Sequence, residues 1–202
     1  SKGLTMAEKV LQVAETITTA SGEPLIWPTA DDTSNTGAQL GESTSIGASV
    51  DPTFGQVIWH SYKFYSKPIL VPYELLQDST FDLPGLIGQM FGERLGRITN
   101  TKYTTGTGSA TPKGVVTAST AGKTTASATA IASDELFDLY HSIDPAYRQG
   151  ASWMMHDNIF LALRKLKDGN GQYLWQSGMQ DNAPDRLLGA GITINQDMQS
   201  SI

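Results

Sequence analysis

Residues 51–100 read DPTFGQVIWHSYKFYSKPILVPYELLQDSTFDLPGLIGQMFGERLGRITN, and the hydrophobic period changes in the middle of this stretch. From Phe54 to Tyr73 the β-branched and aromatic residues are dense and partly alternate. Ile58, Tyr62 and Phe64 fall on one face, and Val57, Trp59 and Tyr65 on the other. That pattern predicts a long strand. After LLQDST, residues 75–80, Asp82 and Pro84 supply a helix start. Leu83, Ile87, Met90, Phe91, Arg94 and Ile98 then recur at three- and four-residue spacing, predicting an amphipathic helix from about Asp82 to Tyr103. Gly85, Gly88, Gly92 and Gly96 lie along one stripe of it. Each interior glycine costs a helix about 1 kcal/mol relative to alanine, so the stripe calls for a packing reason or a bend.

Upstream, VAETITT (13–19) has the β-branched content of a strand, and Ser21-Gly22-Glu23 turns it into PLIWP. Residues 29–53, TADDTSNTGAQLGESTSIGASVDPT, are rich in Gly, Ser and Thr and cannot build a core of their own. Strands flanking so long a polar excursion describe an extended hairpin that projects from the body. Charge marks the same region. From Leu11 to Ser61 there is no Lys or Arg, while Glu15, Glu23, Asp31, Asp32, Glu42 and Asp51 all lie there. Basic residues cluster later, at Arg94, Arg97 and Lys102 and at Arg164, Lys165 and Lys167. An acidic arm lying across a basic surface of a neighbouring copy is the functional reading, with Asp31, Asp32, Glu42, Arg94 and Arg97 as its contact residues; two ordinary solvated faces are the alternative.

Downstream the pattern is α+β. DELFDLYHSI (134–143) is a helix with Leu136, Leu139 and Tyr140 inward, and Asp144-Pro145 starts a further turn. SWMMH (152–156) is a short buried strand, Asp157 or Asn158 caps a helix over 159–167, and DGNG (168–171) closes it. LLGAGITIN (187–195) reads as a last strand.

The chain has 202 residues, 39% of them hydrophobic, enough for one substantial core or two smaller ones. A net charge of -6, with 14 basic against 20 acidic residues, argues against specific nucleic-acid binding. Without cysteine there is no disulfide scaffold or thiolate metal site. No stretch approaches the roughly 18 apolar residues of a membrane span, so the chain reads as soluble.

Two glycine-rich segments imitate phosphate loops and fail. TASTAGKT (117–124) has Thr117 where the first glycine of GxxxxGK[ST] belongs, and no apolar strand precedes it. TTGTGSATPKGVV (104–116) follows a helix rather than a strand, so its glycines read as a turn. DGNGQY begins like a calcium loop, but Tyr173 and Met179 occupy the positions of the required Gly and Glu. His60, His141 and His156 lack ligand spacing. Trp27, Trp59, Trp153 and Trp175 read as core or interface anchors. No catalytic, metal-binding or cofactor-binding residue is assigned, and no cofactor is expected.

The succession from DPTF (51–54) through VPYELLQDSTFDL (71–83), the glycine-striped helix and GTGSATPKG (106–114) resembles the major capsid proteins of tailed bacteriophages. DELFDLYHSIDPAYRQGASWMMHDNIFLALRKLKDGNGQYLW and LLGAGITI follow in the order of that family, so the resemblance spans nearly the whole chain. It implies a phage major-capsid fold of the α+β class, with an extended β-hairpin loop over residues 25–70 reaching across adjacent subunits. Residues 1–24 would begin the peripheral domain, 71–108 would carry its spine helix, and 109–202 would form the axial domain. The implied function is structural, not enzymatic. Copies gather as pentamers and hexamers in the virion capsid of a phage or prophage, assembled in the bacterial host cytoplasm with scaffold, protease and portal proteins as partners and no membrane. Encapsulin-type compartment shells share the fold and are the alternative; a nucleotide-binding enzyme has only the failed loops behind it. Some family members crosslink through a lysine on the extended loop, but here no Lys lies between Lys9 and Lys63. Measured against the family, the chain is expected to be truncated at both ends.

Overall fold

The computed structural model describes residues 9–33, 35–43, 45, 47–74, 82–127, 130–175 and 185–201. LLQDST and Met179 lie outside the described residues. The chain divides into two compact units, Ile17–Lys63 and the rest, Ser1–Thr16 with Phe64–Ile202.

In the smaller unit, β1 (Leu25–Asp31) pairs antiparallel with β2 (Thr53–Trp59), from Leu25 opposite Trp59 to Asp31 opposite Thr53. The expected hairpin is there, with two corrections. Its strands run into the polar excursion at both ends, because backbone pairing, once in register, continues through Thr29 and Ala30 whatever their polarity; the connection is residues 32–52. β2 stops at Trp59, where its partner begins, and residues 60–72 form no strand despite their β propensity. For the same reason 14–19 is not a strand: Val13 instead closes a short helix, α1 (Lys9–Val13), and the following residues meet no partner.

The larger unit is organised by α2, Leu83–Thr105. Asp82 caps it, Oδ1 accepting from the Gly85 N–H at 3.0 Å, and Pro84 sits in the first turn, where its missing N–H costs nothing. At the other end the Gly106 N–H donates to Lys102 O. The expected helix is therefore present, but its inward face is corrected. Leu83 is buried and Ile87 and Phe91 are half-buried, whereas Arg94 is exposed and Met90 and Ile98 are 40% and 38% exposed. Towards its C-terminal end the helix buries Gly96, Asn100 and Thr104 instead, a partly polar stripe that hydrogen bonds make tolerable. As expected, GTGSATPKG turns the chain, with Gly108 at φ 81° and Thr107 bridged to Lys113. A side chain at Gly114 would run into the backbone of Thr104 and Gly106. The short α3 (Val115–Ala118) follows.

Next come α4 (Ser133–His141), α5 (Pro145–Arg148), β3 (Trp153–Met155) and α6 (Asp157–Arg164). The cap of α6 is His156, whose Nδ1 accepts from the Asn158 N–H at 3.0 Å, rather than Asp157 or Asn158. LLGAGITIN forms a hairpin, not one strand. β4 (Arg186–Leu187) turns through Leu188 and Gly189, at φ 50° and 82°, into β5 (Ala190–Ile194). Two left-handed residues match the twist of a two-residue hairpin, although leucine adopts that conformation at a cost. Sheet order is β3-β5-β4, with β3 and β5 parallel and β4 and β5 antiparallel. Met155, Leu163 and Leu187 form the buried centre, with Leu136, Ile159 and Ile192 packed on it. Trp153 spans it, donating Nε1–H to Leu187 O at 2.9 Å.

Candidate functional site

The β1–β2 ribbon is a hairpin without a core. Every residue of β2 is exposed, and so is every residue of β1 except Leu25. Its apolar side chains are large: Ile26 is 58% exposed, Phe54 77%, Trp27 48% and Trp59 45%. The Trp27 and Trp59 rings stack 5.8 Å apart at an interplanar angle of 6°. A lone two-stranded ribbon is marginal in water, so such a surface has to be covered by something else.

The acidic residues continue from the end of β1. Asp31 Oδ1 accepts from the Thr33 hydroxyl at 2.7 Å and the Thr33 N–H at 3.0 Å, which together hold its carboxyl below the usual carboxylate range. Asp32 accepts from the Asn35 side-chain amide at 2.5 Å, and Glu42 is exposed further along the connection. These turn contacts fix two of the three carboxylates in place. Arg94 and Arg97 are exposed on α2, in the other unit. Arg97 pairs with Glu93 one turn away at 3.2 Å, and Arg94 Nη1 reaches Lys67 O at 3.5 Å. Neither contact buries the guanidinium, so both cations stay available to an outside partner.

The rejected phosphate loops have structural duties. Lys123 Nζ lies 2.5 Å from Asp138 Oδ2 on α4, and that hydrogen bond and charge hold the amine above the usual lysine range. A side chain at Gly122 would strike Ser142 Oγ, so AGKT is packed against α4 rather than looped around an anion. Glu135 seals the same segment from the other side, accepting from the N–H groups of Ala126 at 2.6 Å and Ala132 at 3.0 Å. In DGNG, Asp168 Oδ1 accepts from the Asn170 and Gln172 N–H groups, and Lys167 bridges Tyr173, a turn of the expected kind.

A buried polar cluster had no counterpart among the expectations. Asn195, at the end of β5, donates to Thr104 Oγ1 and accepts from Asn100 Nδ2, both at 2.9 Å. Asn100 also donates to Asp197 and accepts from the Val10 N–H at 3.3 Å. The cluster ties α1, α2 and the strand end together. Asn100 and Thr104 one helical turn apart are its sequence trace, but nothing local points to a partner some ninety residues away.

A model of the phage capsid family matches residues 2–202. No curated protein matches. Among solved structures, the capsid of a native GTA particle computed with C5 symmetry is similar at 21% identity and a TM-score of 0.82, over 96% of this chain and 70% of that one. The capsid of an empty GTA particle computed with C5 symmetry is similar at 22% identity and a TM-score of 0.81, over 96% and 69%. These likenesses establish the fold, and the family match covers almost every residue. With its coreless ribbon, its long capped helix and its small mixed sheet, the chain belongs to the phage capsid family, as a structural protein of the capsid shell.

Proposed function

We propose that copies of this chain self-assemble, as pentamers and hexamers, into the icosahedral shell of a tailed phage or prophage, each laying its β1–β2 ribbon on an adjacent copy. The observation behind this is the ribbon itself, two strands of large apolar residues with no core beneath them. Covering an apolar side chain yields about 1.5–3 kcal/mol when it goes from exposed to buried, so the half-exposed ribbon residues offer several kcal/mol to a neighbour that covers them. In this reading α2 is the spine of a peripheral domain, and residues from about 109 onward form an axial domain around the symmetry axes. The shell is built in the host cytoplasm with scaffold, protease and portal proteins, and the subunit itself is catalytically silent. Lys123, the lysine of the TASTAGKT segment, is committed to Asp138, which supports that last point.

Charge adds a second contact. Asp31, Asp32 and Glu42 of one copy face Arg94 and Arg97 of the next, each pair contributing under about 1 kcal/mol but recurring at every subunit. The test is assembly without the ribbon. With residues 25–59 replaced by a short Gly-Ser linker, the protein expressed from its complete gene should remain as free subunits by sedimentation while the unaltered protein forms shells. Normal shells from the ribbonless variant would defeat the proposal.

A further inference from the structure

Between α4, α5, α6 and the β4–β5 hairpin lies a cavity of about 660 Å³. That falls within the range of about 300–1,000 Å³ usual for small-molecule sites. Phe160, Ile192 and Ile194 make part of its wall apolar, and Arg148 is among its polar residues. Local structure sets where Arg148 stands. Asp144 Oδ1 accepts from the Ala146 N–H at 2.8 Å and caps the short α5, at whose end Arg148 lies. Its guanidinium is then held twice. Nη2 donates to Ile143 O at 2.8 Å, and the central carbon lies 5.1 Å from the centre of the Tyr140 ring, which in turn stacks on Trp153. Despite this, Arg148 Nε is buried and has no hydrogen-bond partner among the described residues.

Buried N–H groups in folded proteins are almost always matched by an acceptor, and a guanidinium is matched best by the oxygens of a carboxylate or a phosphate. Asp185 is the one acidic residue among the described residues of the lining, and it makes no ion pair with Arg148. Arg186 lines the cavity as well, so basic residues outnumber acidic ones there. From this we infer that the cavity binds a small organic anion, its carboxylate or phosphate oxygen accepting from the Arg148 Nε–H and its body lying against Phe160, Ile192 and Ile194. A bare inorganic anion fills only a fraction of the space, which is why an apolar body belongs to the ligand. The site is independent of shell building. Every described lining residue belongs to the larger unit of a single chain, and no second copy is needed to complete it.

The test uses the protein expressed from its complete gene, as folded subunits, with benzoate and phenyl phosphate as the anions and benzyl alcohol as the uncharged control. Nitrogen–proton correlation spectra observe the Arg148 Nε–H directly, the signal being identified by its loss in Arg148→Lys. A saturable shift of that signal with an anion, and none with benzyl alcohol, is expected; the anion that binds more tightly names the head group. Arg148→Lys keeps the charge and removes the Nε–H, and should weaken binding of that anion about tenfold by calorimetry. Asp185→Asn removes the competing carboxylate and should strengthen binding severalfold, a sign that structural damage does not produce. No shift with either anion, an equal response to benzyl alcohol, or unchanged affinity in Arg148→Lys overturns the inference and leaves the Nε–H satisfied by water. Should Arg148→Lys not fold, Asp185→Asn decides, unchanged or weaker binding of the anion counting against the site.

Discussion

Asn195, wholly buried at the end of β5, donates its side-chain amide to Thr104 Oγ1 in the last turn of α2 at 2.9 Å. Thr104, equally buried, donates its own hydroxyl hydrogen bond to Asn100 O at 2.7 Å. The long helix is thus fastened to the sheet through satisfied polar groups rather than by apolar contact alone. Such a network is stable only while complete. Asn195→Leu leaves Thr104 and Asn100 without their partner and should lower subunit stability by about 1–3 kcal/mol. Thr104→Val in the same chain should cost less than it does alone, since the partner it would orphan is already gone. Denaturant midpoints of the two single variants and the double variant check this.

Gly88 and Gly92 should respond in the opposite sense. Nothing lies within 4 Å of a side chain added at either position. Replacing Gly88 by Ala should therefore stabilise the isolated subunit by up to about 1 kcal/mol, the helix-propensity difference. If the stripe exists for close approach of another copy, the same change lowers the yield of shells. Thermal melts and sedimentation of one preparation give both readings.

The clasp that α4 makes with Lys123, Ala126 and Ala132 should loosen at both extremes of pH. Glu135 is held below the usual carboxylate range by the N–H groups of Ala126 and Ala132. Its contribution is therefore present at neutral pH and is lost as pH falls through that lowered value. Lys123 is held above the usual lysine range by Asp138, so its contribution is lost as pH rises through the raised value. Protection of the Ala126 and Ala132 amides, measured against their intrinsic exchange rate at each pH, should fall in acid; in Glu135→Ala it should be low already at neutral pH.

For the charged contact, changing Asp31, Asp32 and Glu42 together to Lys should impair assembly, and adding Arg94→Glu and Arg97→Glu should partly restore it. Raising salt above roughly 0.15 M should weaken assembly of the unaltered protein in the same direction. Light scattering during assembly follows both. Normal assembly of the triple variant at low salt would make the acidic segment an ordinary solvated face.

How much of this was legible in the sequence depends on the range of each interaction. The long helix could be read because Asp82, Pro84 and the apolar period are local signals, and the turn at Gly108 for the same reason. The β4–β5 hairpin was hidden because Leu188 takes a left-handed conformation that leucine does not advertise. His156 outcompeted Asp157 as a cap because its ring nitrogen reaches the Asn158 N–H, a matter of one residue of register. Val13 to Thr19 had the composition of a strand, but a strand is made by its partner. In the candidate interface, the acidic run was visible as composition. The apolar surface of the ribbon appeared only with the register of Leu25 on Trp59.

Electron cryomicroscopy of the protein expressed from its complete gene is the most direct measurement. Closed shells in which the β1–β2 ribbon of each subunit lies against a neighbouring copy are the predicted result. Monodisperse particles with the ribbon folded back on its own subunit, or no shell at all under conditions where the protein is folded, would contradict it.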